Sequence, residues 1–193
     1  DDPRVMGIAA DFPGRRVTFG RAAGADVRAA SVAPRGYDGY EIDLRYGTEQ
    51  GLLPFPFLNR AAVADLLAAA AVSLALGLRL SEIAPAAAAL RPAARRGLLV
   101  EVPGGVRVYD DAYNSSPRAL EAALTSLAGL PAGRRIAVLG DMLELGEGGP
   151  DFHRAAGETA ARTGWDVLVA VGPLAAAMAE GALAAGFEPA AVL

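Results

Sequence analysis

The sequence predicts an α/β protein in two parts, and three observations carry that reading. Up to about residue 57, short strand-like runs are cut by Gly, Pro and Asp turn signals. Two apolar helical segments follow. From Leu98 onward, strand-like and helix-like runs alternate at the spacing of βαβ units, which implies a parallel sheet. The chain has 193 residues, 53% hydrophobic and 21% charged, so it can bury a core and does not have the composition of a disordered chain.

In chain order, strands are predicted at 5–9, 16–19, 26–33, 40–46 and 52–55. Within 40–46, Glu41 and Asp43 alternate with Ile42, Leu44 and Tyr46, the period of two of a half-exposed strand. A helix is predicted over 61–76 and a second over 81–90, with the Ser81 hydroxyl as its cap. The apolar run 61–78 is long enough to raise the question of a membrane span. Asp65 and Ser73 interrupt it and its alanines contribute little to insertion, so a buried helix is expected.

Pro92 and the cluster Arg95-Arg96-Gly97 mark a junction, dividing 1–96 from 97–193. Beyond it, strands at 98–102 and 106–109 flank the turn Pro103-Gly104-Gly105. A helix over 117–128 has Ser116 as N-cap, Pro117 at its first position and Leu120, Leu124 and Leu127 as its apolar stripe. Then come a strand at 135–139, a helix at 151–163, a strand at 166–171 and a helix at 174–185. The start of a further strand at 190–193 breaks off mid-pattern, so the second domain is expected to be incomplete.

Composition removes several chemistries. There is no cysteine, which excludes disulfides and thiolate chemistry, and a single histidine excludes a poly-histidine metal site. All 18 basic residues are arginine, so the chain offers no lysine for a phosphate loop or a Schiff base. The net charge of −4 argues against a basic nucleic-acid-binding face. Asp1-Asp2-Pro3-Arg4 is not a signal peptide, and a cytoplasmic location is expected.

Ligands of an open parallel sheet bind beyond the carboxyl ends of its strands. Three polar loops stand at such places. Asp110-Asp111-Ala112-Tyr113-Asn114-Ser115-Ser116-Pro117 reads either as a loop that accepts ribose hydroxyls through Asp111 while Tyr113 and Asn114 contact a base or substrate, or as a capped turn. Gly140-Asp141-Met142-Leu143-Glu144-Leu145-Gly146 reads as a site for a metal or cationic group at Asp141 and Glu144, or as a solvated loop. The third is Gly172-Pro173. His153 is either a base or a hydrogen-bonded structural residue, and Arg95 and Arg96 either hold a phosphate or belong to a solvated linker. No Gly-x-Gly-x-x-Gly opens a helix after a strand, and no Gly-x-Ser-x-Gly elbow exists.

The first two loops resemble the Mur ligase family. Asp110-Asp111-Ala112-Tyr113-Asn114-Ser115-Ser116-Pro117 is close to its Asp-Asp-Ser-Tyr-Asn-Ala-Asn-Pro, and Val138-Leu139-Gly140-Asp141-Met142-Leu143-Glu144-Leu145-Gly146 is followed by His153 and Gly157 at the family's spacing. The pair is specific to the branch that adds a D-alanyl-D-alanine dipeptide. Arg96 matches an arginine at the start of the family's C-terminal domain, and Asp1-Asp2-Pro3 and Thr18-Phe19-Gly20…Ala25-Asp26-Val27 resemble its central domain. The resemblance therefore spans nearly the whole chain.

It implies the end of a central ATPase domain followed by a Rossmann-like C-terminal domain. The implied activity is ATP-dependent amide-bond formation that adds D-alanyl-D-alanine to UDP-MurNAc-tripeptide through an acyl phosphate, in peptidoglycan precursor synthesis and hence cell-wall biogenesis, cell shape and division. Carried over by position, Arg96 would reach the ATP phosphates as the catalytic arginine and Asp111 would hold the ribose. Asp110, Tyr113 and Asn114 would shape the nucleotide and substrate side of an interdomain cleft, with Asp141, Glu144 and His153 on the substrate. The cofactors would be ATP and Mg²⁺, the metal's ligands lying outside this chain. A monomer acting on small molecules, without nucleic acid or membrane insertion, is expected.

There are departures. The family's Gly-Lys-Thr phosphate loop, Mg²⁺-binding glutamate and modified lysine belong upstream of residue 1, so the chain alone is expected to be inactive. Where the family has the adenine-contacting Gly-x-His-Asn-x-x-Asn, this chain has Ala61, Ala62 and Asp65 in the last three conserved places. The family's late Lys-Gly-Ser-Arg loop is missing. These departures keep a second reading open, a non-catalytic module that binds a nucleotide or partner.

Overall fold

A computed structural model describes residues 2–193; Asp1 lies outside the described residues. The chain forms two compact units, Asp1–Arg91 and Pro92–Leu193. The division falls ahead of the expected 96/97 boundary for a local reason. The Arg95 carbonyl accepts the Tyr113 N–H at 3.1 Å and the Gly97 N–H donates to the Asp110 carbonyl at 2.9 Å, so 95–97 belong with the second unit.

The first unit opens with helix α1 (Pro3–Ile8) where a strand at 5–9 was expected. The Asp2 side chain accepts the Arg4 N–H at 2.9 Å and Pro3 occupies the first turn, so a capped start outweighs the β preference of Val5 and Ile8. The sheet contains β1 (Phe19–Gly20), β2 (Val27–Pro34), β3 (Tyr40–Tyr46) and β4 (Glu49–Phe55) in that spatial order. β1 runs parallel to β2 and the other pairs are antiparallel. β1 is shorter than the predicted 16–19; Thr18, just ahead of it, donates its N–H and hydroxyl to Asp26 Oδ2 at 2.7 Å while its carbonyl accepts the Val27 N–H of β2 at 2.9 Å.

The alternation in β3 is the one the sequence predicts. Ile42 and Leu44 are fully buried while Glu41, Asp43 and Arg45 occupy the other face. On the buried face lie α2 (Ala62–Ala75), through Val63, Leu66, Leu67, Ala70, Ala71 and Leu74, and α3 (Leu80–Ala89), through Leu80, Ile83 and Ala87. Ser81 does not cap α3. The helix starts a residue earlier, Glu82 Oε2 accepts the Arg79 N–H at 2.9 Å, and Glu49 of β4 accepts the Leu80 N–H at 3.3 Å. Among the described residues no helix is long and apolar enough to cross a membrane.

The second unit begins with the antiparallel hairpin β5 (Leu98–Val102) and β6 (Val106–Asp110), turned by Gly104 and Gly105 at φ 88° and 75°. Then follow α4 (Pro117–Ala128), β7 (Ile136–Gly140), α5 (Gly149–Thr163), β8 (Val167–Val171) and α6 (Ala176–Ala184). β7 and β8 pair in parallel from Ile136↔Val167 to Gly140↔Val171, with α5 as the crossover, so the predicted βαβ unit is present. The expected final strand is mostly a 3₁₀ turn (Pro189–Ala191). The chain then reaches the sheet at its last two residues: Val192 bridges Leu168 in parallel, the Leu193 carbonyl accepts the Ala170 N–H at 2.8 Å, and the Leu193 N–H donates to the Leu168 carbonyl at 2.9 Å.

Two apolar clusters hold this unit, one around Leu124, Ala160, Leu168 and Phe187, the other around Met142, Ala156, Ala175 and Met178. Of the α4 stripe, Leu124 is buried and Leu120 and Leu127 are half-buried. α5 and α6 touch backbone to backbone. A Cβ on Gly157 would overlap the Met178 carbonyl, and one on Gly181 would overlap the Arg154 carbonyl.

Candidate functional site

Two loops at strand ends of the second unit carry the candidate residues. The first leaves β6 and enters α4. Ser116 stands at the N-cap position with extended backbone, but its hydroxyl makes no capping bond; Pro117 supplies the helical start. Asp110 Oδ1 accepts the Ala112 N–H at 3.2 Å, an Asx-type turn that bends the chain straight after the strand. Asn114 is exposed, and its Oδ1 lies 2.9 Å from the Ser115 N–H.

The turn returns Tyr113 to the start of the hairpin. Its N–H donates to the Arg95 carbonyl, and Arg95 holds the left-handed conformation, φ 59°, unusual for a residue with a Cβ. The next residue, Arg96, then lies over the Tyr113 ring with Cζ 3.7 Å from the centroid. No carboxylate of the described residues sits within ion-pair distance of Arg96, so its exposed N–H groups are oriented by the ring and open to an oxyanion. Asp111 is partly buried beside it. Desolvation raises its carboxyl above the usual carboxylate range, the Arg96 charge opposes that shift and the Asp110 charge adds to it. Arg96, Asp110, Asp111 and Tyr113 are thus brought together, while Arg95 contributes through its carbonyl.

The second loop leaves β7. Asp141 Oδ1 accepts the Ala175 N–H at 2.7 Å, tying the end of β7 to the turn before α6. That approach requires Gly172, whose φ is 114° and whose Cβ would stand 2.6 Å from the Asp141 carboxylate. Met142 is buried and Glu144 is exposed with φ 62°, a second left-handed non-glycine residue. His153 does not stand on the open side of this loop, where a substrate contact would place it. It is 0% exposed, Met142 N–H donates to its Nε2 at 2.9 Å, and its Nδ1 lies 2.7 Å from the Gly149 carbonyl.

Among the described residues no group of three acidic or histidine side chains could hold a metal ion, and Asp141 already spends one oxygen on a backbone N–H. Sequence reasoning missed the parts played by Ala175, the Met142 N–H and the Arg95 carbonyl, because backbone groups leave no residue-type signal. In the first unit, Asn59 Oδ1 accepts the Ala61 N–H at 2.9 Å ahead of α2, and Asp65 is exposed in its first turn.

Residues 95–192, which include both loops, match the family described as Mur ligase, glutamate ligase domain. The chain belongs to the Mur ligase family. Its relatives include the UDP-N-acetylmuramoyl-tripeptide--D-alanyl-D-alanine ligase of Mycobacterium tuberculosis, 35% identical over 178 residues that cover 89% of this chain and 35% of the relative. Among solved structures, MurF from Acinetobacter baumannii superposes with a TM-score of 0.77 at 27% identity, over 92% of this chain and 36% of that one. The MurF ligase of Thermotoga maritima, solved in complex with ADP, gives 0.79 at 24% identity over 92% and 40%, a likeness of fold. This Mur ligase chain thus spans between a third and two fifths of the length of these three proteins.

Proposed function

We propose that this chain is part of an ATP-dependent ligase that joins D-alanyl-D-alanine to UDP-MurNAc-tripeptide in cytoplasmic peptidoglycan precursor synthesis. The observation that carries the reading is Arg96 stacked on Tyr113 beside Asp111, in a family member whose relatives bear that activity in their names. The tripeptide carboxylate attacks the γ-phosphorus of ATP, giving an acyl phosphate and ADP. The dipeptide amine, after losing a proton, attacks the acyl carbon, the amide bond forms and inorganic phosphate leaves.

Arg96 donates to phosphoryl oxygens, where charge builds up during transfer. Asp111 accepts from the ribose hydroxyls. Asp110 holds the turn, Tyr113 keeps the guanidinium in plane, and Asn114 offers an exposed amide to the nucleotide or substrate. Glu144 and the second oxygen of Asp141 attract the ammonium group of the dipeptide. Mg²⁺ supplies phosphate charge neutralisation when bound, on ligands outside this chain. With no lysine, the chain supplies neither a phosphate-loop lysine nor a modified active-site lysine and is inactive alone.

A second reading, a non-catalytic binding module, is favoured by one observation: Ala61, Ala62 and Asp65 stand where the family's adenine contacts are expected. Phosphate release from ATP by the intact gene product, with UDP-MurNAc-tripeptide and with or without D-Ala-D-Ala, separates the two. Release that depends on the dipeptide, with the 193-residue chain silent, is the ligase outcome. A folded, intact protein that releases none is the module.

A further inference from the structure

Arg28 of β2 and Arg45 of β3 are direct partners in the sheet register. They alternate with Val27 and Leu44 of the core, so both stand on the face turned away from α2 and α3. Like charges set opposite each other on one face of an antiparallel pair destabilise it. On its other flank Arg28 pairs with Gly20 of β1, which carries no side chain. Arg28 is half-buried, and its Nε is buried without a hydrogen-bond partner. A charged donor buried in this way costs free energy until an acceptor reaches it.

Both arginines line an open cleft of about 580 Å³ together with Ala23, Asp26, Tyr46 and Gly47. The carboxylates around it are already engaged. Asp26 Oδ2 accepts the Thr18 N–H and hydroxyl. Asp43 accepts from Arg45 Nη2 at 3.2 Å and from Gln50 Nε2 at 3.0 Å. Among the described residues no carboxylate pairs with Arg28. Arg15 brings a further guanidinium, donating to the Tyr46 hydroxyl oxygen at 3.1 Å and leaving the Tyr46 O–H free to donate.

We infer that this cleft is a binding site for a phosphoryl group, free or esterified, held between Arg28 and Arg45. An oxyanion between the two guanidinium groups replaces their repulsion with charge-assisted hydrogen bonds. A phosphoryl group has three oxygens and up to two charges, enough for both planar forks, whereas one fork already fills the two oxygens of a carboxylate. The site lies wholly in the first unit. It involves neither the Arg96 loop nor the ligase reading.

The probe is inorganic phosphate, titrated into the intact gene product with ionic strength held constant by chloride and followed through the arginine Nε–H resonances. The Arg28 resonance should shift and its exchange with water should slow, with a Kd of about 1 mM or tighter. Arg28→Gln and Arg45→Gln should each weaken binding about tenfold or more, read at the remaining arginine and at the Tyr46 amide. Arg96→Ala should leave it within about twofold. In chloride alone Arg28→Gln should melt no lower than the parent, since it removes a like-charge contact and an unpaired donor; phosphate should then raise the melting temperature of the parent more than that of the variant. Glycerol phosphate in the same titration separates the two sources. Tighter binding than the free ion assigns an esterified ligand, and equal or weaker binding assigns the ion itself. An Arg28 resonance that ignores phosphate, a response as strong in both Gln variants as in the parent, or a response lost in Arg96→Ala overturns the inference. A marked loss of stability or of folding in Arg28→Gln without phosphate would mean that the protein itself supplies the partner of Arg28, and overturns it as well.

Discussion

Arg96 lies over the ring of Tyr113, 3.7 Å from guanidinium carbon to centroid, and the contact exists because Tyr113 donates its N–H to the carbonyl of Arg95. A long, exposed side chain is thereby given one orientation before any ligand arrives. In the intact gene product, Arg96→Ala should lower dipeptide-dependent phosphate release by about 10²-fold. Tyr113→Phe keeps the ring and should stay within about twofold of the parent, while Tyr113→Ala should cost a few-fold, on the order of the 0.5–1 kcal/mol of an exposed cation–π pair. Equal rates for the Phe and Ala variants would show that the ring does not orient the arginine.

Asp111 gives the second loop residue with a measurable signature. Its carboxyl is raised mainly by desolvation, so the folded state holds the proton more tightly than the unfolded one. Stability is therefore lost as pH rises from about 3.9, the unfolded value, through the higher folded value, and the loss persists at neutral pH. Asp111→Asn should raise the melting temperature at pH 7 by about 2 °C and leave it unchanged near pH 3. A variant less stable than the parent at pH 7 would mean that Arg96 outweighs burial.

Gly172 faces Asp141 across the ends of β7 and β8. Its φ of 114° and the 2.6 Å separation from a Cβ to the carboxylate act against any side chain. Gly172→Ala should destabilise the protein by about 1–3 kcal/mol. It should also expose the Ala175 amide to fast exchange, because Asp141 has to withdraw. Calorimetry and amide exchange report the two effects separately.

Gly157 and Gly181 let α5 and α6 meet at backbone distance, with the Ala182 N 2.9 Å from a Cβ placed on Gly157 and the Met178 carbonyl closer still. No rotamer change relieves a clash with backbone. Gly157→Ala should cost more than about 2 kcal/mol in a denaturant melt, and an effect below about 0.5 kcal/mol would show that the helices slide apart freely.

Much of the architecture was legible without coordinates. The β3 alternation, the Pro103-Gly104-Gly105 hairpin turn, Pro117 opening α4 and the strand–helix–strand spacing of β7, α5 and β8 are all local signals of period or turn chemistry. Where the sequence expectation failed, a competing contact had no sequence periodicity. Asp2 capping a helix turned 5–9 away from strand, and Glu82 and Glu49 took the role given to Ser81.

The candidate site divides in the same way. The residue types and their order, Asp110-Asp111 with Tyr113-Asn114 and Asp141 with Glu144, are properties of the chain and lie within residues 95–192, the span that matches the family. Which of them can meet a ligand is a property of the folded unit. Tertiary packing buried His153 under the loop it was expected to share, committed one oxygen of Asp141 to Ala175, and stacked Arg96 where its donors stay open. Side-chain chemistry is written in the sequence, but the backbone groups that compete for it come from distant positions, and only the fold brings them within hydrogen-bond reach.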